Sequence, residues 1–173
     1  MASKIKVDQL ETADGSGTIA LQNQLSGLAS ASMPTGSVLQ VVGATRTNTE
    51  NGGFLLNTTS NSYVNAGLSV AITPSSTSSK IMIFVNTSTY RGGNASLTIY
   101  RGSTNLGGST HGMIRMTGAQ GYWMPVGLSH LDSPSTTSAT TYYLFARSES
   151  GTNTYVGGDA DMQNNITVME IAG

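Results

Sequence analysis

The sequence has no cysteine and little charge of either sign. Because none of the 173 residues is cysteine, disulfide bonds, thiolate metal sites and cysteine nucleophiles are excluded. Charged residues make up 10% of the chain and the formal net charge is −1, whereas about 25% is usual for globular proteins. Such a chain offers no basic surface to nucleic acid or to an anionic membrane. We therefore expect neither as a partner.

Long apolar runs are also missing. No stretch approaches the roughly 18 consecutive apolar residues that a membrane-spanning helix needs, so no membrane insertion is predicted. Serine, threonine, asparagine and 21 glycines stand where charged residues are usual. This polar but nearly uncharged composition is typical of extracellular β-structures and virion fibres, and it is unlike that of a cytosolic enzyme. The length is sufficient for one domain with a real core and an appendage.

The first residues of the chain alternate apolar and polar side chains but contain few hydrophobic residues. Ile5, Val7, Ile19 and Leu21 have the period-two spacing of short strands, and residues 14–17 (DGSG) form a turn signal between them. An isolated pair of such strands is marginally stable in water. We therefore expect this arm to pair with other copies or with a larger assembly. The arm residues expected to be buried there are Ile5, Val7, Leu10, Ile19 and Leu21.

A run of small residues separates the arm from the rest of the chain. Residues 26–36 read SGLASASMPTG and end in a proline and a glycine, which is typical of a linker. The sequence therefore predicts an arm with its linker at 1–35 and a folded domain at 36–173.

The predicted domain contains short segments rich in β-branched and aromatic residues, with turn signals between them. These segments are 38–42, 68–73, 80–85, 97–100, 122–128, 141–147, 154–156 and 166–171. Segment 80–85 (KIMIFV) has the composition of a central strand. No segment has the period of a core helix, although residues 22–32 are compatible with a helical turn or two. About eight short strands predict a β-sandwich or barrel.

Several segments, in order along most of the chain, resemble structural and fibre-like virion proteins of marine tailed bacteriophages, notably cyanophages. The opening segment is SKIKVDQLETADGSGTIALQN at 3–23. The body adds MPTGSVLQVV at 33–42, VAITP at 70–74, SKI at 79–81, LDSP at 131–134 and ITVMEI at 166–171.

This resemblance implies a trimeric appendage on the surface of the phage particle. The arm would be seated on other virion proteins of the capsid, neck or tail, and the C-terminal domain would be a jelly-roll-like head. The expected fold is therefore an all-β, jelly-roll-like antiparallel β-sandwich preceded by an extended N-terminal arm, assembled as a homotrimer. Because the chain has no extended shaft, a short fibre, knob or decoration is favoured over a long receptor fibre.

The sequence predicts no metal, cofactor or catalytic site. His111 and His130 have no neighbouring residues at ligand spacing, although a metal or catalytic role needs converging groups. Asp159 and Asp161 supply too few oxygens for Ca²⁺, which takes six to eight. We expect them to lie in a polar turn.

An enzyme that cleaves polysaccharides would need two carboxyl groups about 5–10 Å apart. Asp132, Glu149, Asp159 and Asp161 are the candidates, and nothing in the sequence pairs them. Asp132 precedes Ser-Pro, where its side chain is expected to cap the turn backbone. Glu170 lies within the last apolar strand, where we expect it to face water, with an arginine of another subunit as the alternative.

Aromatic side chains are the main candidates for ligand binding, because flat apolar rings match the faces of sugars. Tyr122 and Trp123, with His111 nearby in the sequence, form the richest such group. They are possible contacts to a glycan or between subunits. Trp123 could equally anchor the core or a trimer interface, since large aromatic residues dominate both. The alternative function is thus a receptor-binding tail-fibre tip that recognises host surface glycans.

Overall fold

In the computed structural model, which describes residues 33–47, 53–158 and 162–173, the chain forms eleven β-strands and no helix within those ranges. The strands are β1 (Val38–Thr47), β2 (Leu56–Thr58), β3 (Val64–Ile72), β4 (Lys80–Arg91), β5 (Ala95–Arg101), β6 (Thr104–Asn105), β7 (Ile114–Met116), β8 (Gln120–Asp132), β9 (Thr140–Ser148), β10 (Thr154–Val156) and β11 (Gln163–Ile171). Each of the eight predicted strands corresponds to one of these. The possible helical turn at 22–32 lies outside the described residues.

Alternating side chains explain why these segments form strands with one buried face. In β4, Ile81, Ile83 and Val85 are fully buried, while Met82 and Phe84 lie on the opposite face. Side chains of a strand point alternately to the two sides of a sheet, so one face of β4 enters the core. The other face remains outside.

The strands form two antiparallel sheets that pack face to face as a β-sandwich. In the six-stranded sheet the order is β1-β11-β4-β10-β2. Strands β11 and β10 pair with successive parts of one edge of β4, and β8 pairs with its other edge. In the five-stranded sheet the order is β3-β9-β5-β6, and β7 also pairs with β5. The prediction that 80–85 is a central strand is confirmed, because β4 has partners on both edges.

The chain crosses repeatedly from one sheet to the other. The long strands β1, β4, β8 and β11 belong to the six-stranded sheet, and β3, β5 and β9 belong to the five-stranded sheet. Taken in chain order, the long strands therefore alternate between the sheets. This connectivity is compatible with the predicted jelly-roll-like fold.

The core lies between the two sheets and is built from aliphatic side chains of both. Its largest fully buried apolar members are Leu68, Ile81, Ile83, Leu97, Ile99, Leu144 and Ile166, with the ring of Tyr142 among them. Burying a side chain of this size contributes about 1.5–3 kcal/mol. The packing of these residues holds the two sheets together.

Glu170 is buried, so the prediction that it faces water is wrong. It is 0% exposed on the inner side of β11. Its carboxylate accepts hydrogen bonds from the amide and hydroxyl of Ser75 and from the hydroxyl of Ser79, each at 2.7 Å, and from Gln40 at 2.6 Å. The serine-rich loop between β3 and β4 supplies donors that the strand pattern alone does not reveal.

Asp132 does not cap the turn that follows it, so that prediction is also wrong. Both of its carboxylate oxygens accept from Nη1 of Arg101 at 2.9 Å, and Oδ2 also accepts from the hydroxyl of Tyr142 at 2.8 Å. Asp132 ends β8 of one sheet, whereas Arg101 and Tyr142 belong to β5 and β9 of the other. The carboxylate therefore joins the two sheets.

The described chain enters the sandwich beside its own C-terminus. The amide of Gly36 donates to the carbonyl of Ala172, and the amide of Ala172 donates to the carbonyl of Ser37, both at 2.8 Å. The predicted arm, apart from its last three residues, lies outside the described residues. Within the ranges given above, the structure has no helix that could cross a membrane.

Candidate functional site

Four aromatic rings, those of Phe54, Tyr90, Trp123 and Tyr155, meet on the outer face of the six-stranded sheet, and we call them the four-ring cluster. Phe54 stacks on Trp123 with ring centres 5.7 Å apart and an angle of 28° between the planes. Tyr155 lies 4.7 Å from Phe54 and 5.8 Å from Tyr90. Tyr90 lies 5.8 Å from Trp123. These separations are within the range of favourable aromatic pairs.

Strand pairing explains how residues far apart in the sequence come together here. Tyr155 lies directly opposite Tyr90 in the β10–β4 ladder. Thr154 and Val156 are buried on either side of Tyr155, so alternation turns its ring outward. Strand β8 runs along the other edge of β4 and carries Trp123. Phe54 comes just before β2, the partner of β10.

The four-ring cluster lines a shallow depression of about 340 Å³, in the size range of small-ligand sites. All four rings are partly exposed. A second depression shares Tyr90 and Tyr155. Its other lining residues are polar or small: Thr59, Gly92, Gly151, Thr152 and Asn153. Apolar ring faces beside hydroxyl, amide and backbone groups suit a ligand that is apolar on its faces and polar at its rim.

Trp123 is absent from the hydrophobic core. Of the alternatives left open by the sequence, the core position is therefore excluded, and an interface or a ligand contact remains. Tyr122, its neighbour, is 66% exposed.

His111 is held in a different place, beside the five-stranded sheet. Its Nδ1 lies 3.0 Å from Oε1 of Glu149, and Ser96 of β5 donates a hydrogen bond to the same carboxylate. Trp123 belongs to the six-stranded sheet and has ring partners only within the four-ring cluster, among the described residues. The structure therefore does not bring His111 together with Tyr122 and Trp123 as one group.

Glu149 is the centre of an ionic cluster on the five-stranded sheet. Its side chain is only 8% exposed, and it accepts from Nε of Arg115 at 2.8 Å and from Nη2 of Arg147 at 3.3 Å. Burial alone would raise the pKa of Glu149, but hydrogen bonds from Ser96, His111 and Arg115 lower it to about 2. Glu149 is thus a stable anion at neutral pH and is poorly suited to act as a general acid.

Of the other predicted acidic candidates, only Asp132 is among the described residues. Asp132 is bonded to Arg101 and Tyr142, as described above, and Asp159 and Asp161 lie outside the described residues. In the part of the chain that the structure describes, no group of three or more histidine and acidic residues is arranged to hold a metal ion.

The predicted arm contacts Ile5, Val7, Leu10, Ile19 and Leu21 also lie outside the described residues. Their role stays a prediction.

Sequence reasoning missed Phe54, Tyr90 and Tyr155 as partners of Trp123. A signal existed for Tyr155, because it is the middle residue of the predicted strand 154–156. Its partners depend on which strands are neighbours and in which register, and these are not local properties of the sequence.

Comparison with known proteins gave no match, either to a protein-family model or to a curated protein sequence.

Proposed function

We propose that this chain is a non-enzymatic structural protein of a bacteriophage particle. In this proposal a jelly-roll-like head at 36–173 forms a homotrimer on the particle surface as a short fibre, knob or decoration. The arm at 1–35 attaches it to other virion proteins through Ile5, Val7, Leu10, Ile19 and Leu21. The resemblance of the sequence segments, the β-sandwich and its alternating connectivity support this proposal.

The observation that carries the proposal is the direction of the head: the described chain enters at one end, and the four-ring cluster lies at the other. The described chain enters at Met33–Ser37, beside the first residues of β1 and the C-terminus. Strands β1 and β4 both run antiparallel to β11, so they point the same way. Tyr90 therefore lies at the far end of β4, about 33 Å beyond Lys80 at about 3.3 Å per residue. An N-terminal attachment would direct the four-ring cluster away from the particle.

The contacts of the three acidic residues in the described ranges support a mechanical or binding role. Asp132, Glu149 and Glu170 each accept several hydrogen bonds from residues that join strands or loops. Each of these carboxylates thus has a structural task, which favours surface contacts as the mode of action.

Immunogold labelling of purified virus particles tests the location. An antibody raised against the head should label intact particles at fixed positions. Particles assembled with an Ile19→Asp, Leu21→Asp double variant should carry less label, and a Ser16→Asp variant in the turn of the arm is the control. Unlabelled particles would overturn the proposal.

Light scattering tests the assembly. The full chain should have three times the 17.9 kDa mass of a single copy. A monomer at all concentrations would remove the trimer from the proposal.

The four-ring cluster favours a second candidate function, recognition of host surface glycans at the far end of the head. Exposed aromatic faces beside polar loop groups suit stacking against a pyranose ring. A Trp123→Ala variant should lose binding to host cells or to immobilised host polysaccharide. Phe145→Ala is the matched control, because Phe145 stacks on Tyr100 on the other sheet with ring centres 4.0 Å apart. Equal binding by both variants would exclude this candidate.

A further inference from the structure

Four apolar side chains form a continuous row across the entry end of the six-stranded sheet. Val41 lies opposite Met169, Met169 opposite Met82, and Met82 opposite Leu131. This apolar row, Val41–Met169–Met82–Leu131, crosses β1, β11, β4 and β8 in order. Val41 is 55% exposed and Leu131 is 49% exposed. Removing either side chain from water would be energetically favourable.

The next two rows on the same face carry no charge, and apart from Phe84 their residues are small or polar. The second row is Gly43, Thr167, Phe84 and Ser129, and the third is Thr45, Asn165, Asn86 and Gly127. Phe84 extends the apolar surface, since it is exposed beside Met82. Among the charged side chains of the described ranges, Lys80 at the start of β4 is the one that extends from this face.

Most of the other charged residues of the described ranges lie away from this face. Arg91 and Glu170 are buried. Arg115, Arg147 and Glu149 form their cluster beside the five-stranded sheet, and Arg101 projects from the end of β5. The two sides of the sandwich therefore differ in character. The centres of protein interfaces are poor in charge and rich in methionine and aromatic residues, which describes the six-stranded side.

We infer that the apolar row with Phe84 is the surface through which copies of this chain contact one another. This inference rests on the proposed homo-oligomeric assembly and names the surface that holds it together. A second copy fits the face because its uncharged residues impose no like-charge repulsion when identical surfaces approach. Methionine side chains such as Met82 and Met169 adapt readily to close packing.

The size of the face is consistent with such a contact. Four strands at about 4.8 Å spacing span about 19 Å, and Lys80 to Asn86, the part of β4 that pairs with β11, spans about 20 Å. Covering this face of about 380 Å² on each of two copies buries about 760 Å² in total, which is the size of a small, reversible contact.

Contact at the row also leaves the four-ring cluster free. Met82 and Tyr90 are eight residues apart on β4, a distance of about 27 Å. The copies would thus meet near the end where the chain enters, and the rings would stay accessible at the opposite end.

Charge introduced into the row tests the inference. The full chain with Leu131→Glu should have a dissociation constant at least about tenfold higher than the unmodified chain, because the new carboxylates of neighbouring copies would repel each other or be desolvated. Ala71→Glu is the matched control, since Ala71 is exposed on β3 of the other sheet. Light scattering over a concentration series measures both.

The outcomes separate this inference from the proposed assembly. A smaller mass for Leu131→Glu with an unchanged mass for Ala71→Glu supports it. An unchanged oligomer in both variants overturns the named surface but leaves the proposed trimer standing. A monomeric unmodified chain overturns both.

A labelling experiment keeps the inference falsifiable if Leu131→Glu fails to fold. Because the chain has no cysteine, Leu131→Cys and Ala71→Cys each introduce a unique thiol. Maleimide should label the Leu131→Cys variant more slowly as the oligomer forms, while the labelling rate of the Ala71→Cys variant stays constant. Equal rates at every concentration would overturn the inference.

Discussion

The hydroxyl of Tyr142 donates a 2.8 Å hydrogen bond to Oδ2 of Asp132, and this bond links the two sheets of the sandwich. Tyr142 lies on β9 and is fully buried, and Asp132 ends β8. Burial raises the pKa of Tyr142, and its hydrogen bond to the carboxylate raises it further. The hydroxyl therefore keeps its proton at neutral pH and remains a donor to Asp132.

Removing that donor should destabilise the fold. We expect Tyr142→Phe to lower the free energy of unfolding by about 1.5–3 kcal/mol, as for other hydrogen bonds to charged groups. Urea titration followed by tryptophan fluorescence measures this. Tyr143→Phe is the control, because Tyr143 is partly exposed on the other face of the same strand. A similar small effect in both variants would contradict a structural role for the Tyr142 hydroxyl.

Glu170 should be essential for the loop between β3 and β4. Burial alone would raise its pKa, but the hydrogen bonds from Ser79, Gln40 and Ser75 lower it. Glu170→Leu leaves those donors without an acceptor and should lower the free energy of unfolding by about 2–4 kcal/mol. Glu170→Gln keeps one acceptor oxygen and should cost less. Equal stabilities of the two variants in urea would refute this.

Glu149 should make stability depend on pH in the acid range. Its pKa is about 2 in the folded protein and 4.5 as the ordinary value, so the unfolded chain binds the proton more readily. The stability contributed by the carboxylate is present above pH 4.5 and is lost as the pH falls toward 2.

The measurement compares the unmodified chain with Glu149→Gln in urea between pH 2 and pH 7. The difference in unfolding free energy should be largest near neutral pH and should shrink toward pH 2. A difference that is constant with pH would show that the charge of Glu149 is not responsible.

Gly112 should not tolerate a side chain. Its φ is +60°, and a Cβ there would lie 2.5 Å from the carbonyl oxygen of Leu97 and 2.6 Å from the hydroxyl of Tyr63. Gly102 has a similar φ of +56° but open space around it. Gly102→Ala should therefore cost only the left-handed backbone strain of about 1–2 kcal/mol, and Gly112→Ala should cost more. Thermal melting of both variants checks this, and equal melting temperatures would contradict it.

Most of the long strands could be predicted from the sequence because their signal is local. The alternation in 80–85 and 166–171 predicts strands with one buried face, and β4 and β11 have one. The sequence does not predict the short strands β2, β6 and β7. Three residues or fewer carry little periodicity, and these strands lack the β-branched and aromatic composition of 154–156 (TYV). They form by pairing with β10 and β5.

The candidate site was only partly predictable. Trp123 and Tyr122 stand out as aromatic residues, but the sequence suggested His111 as their neighbour. The ladders bring Tyr90 and Tyr155 to Trp123 instead, and His111 is bound to Glu149.

The sequence by itself determined that the chain is all-β, nearly uncharged on its surface and free of cysteine chemistry, since composition and period-two alternation are properties of short stretches. Only the tertiary structure decided that Glu170 is buried, that Asp132 joins the sheets, and that Val41, Met169, Met82 and Leu131 form one row. These facts depend on which strands are neighbours and in which register. Register is set between segments far apart in the chain, such as those of Val38 and Ile171 in β1 and β11, so the periodicity of one segment does not determine it alone.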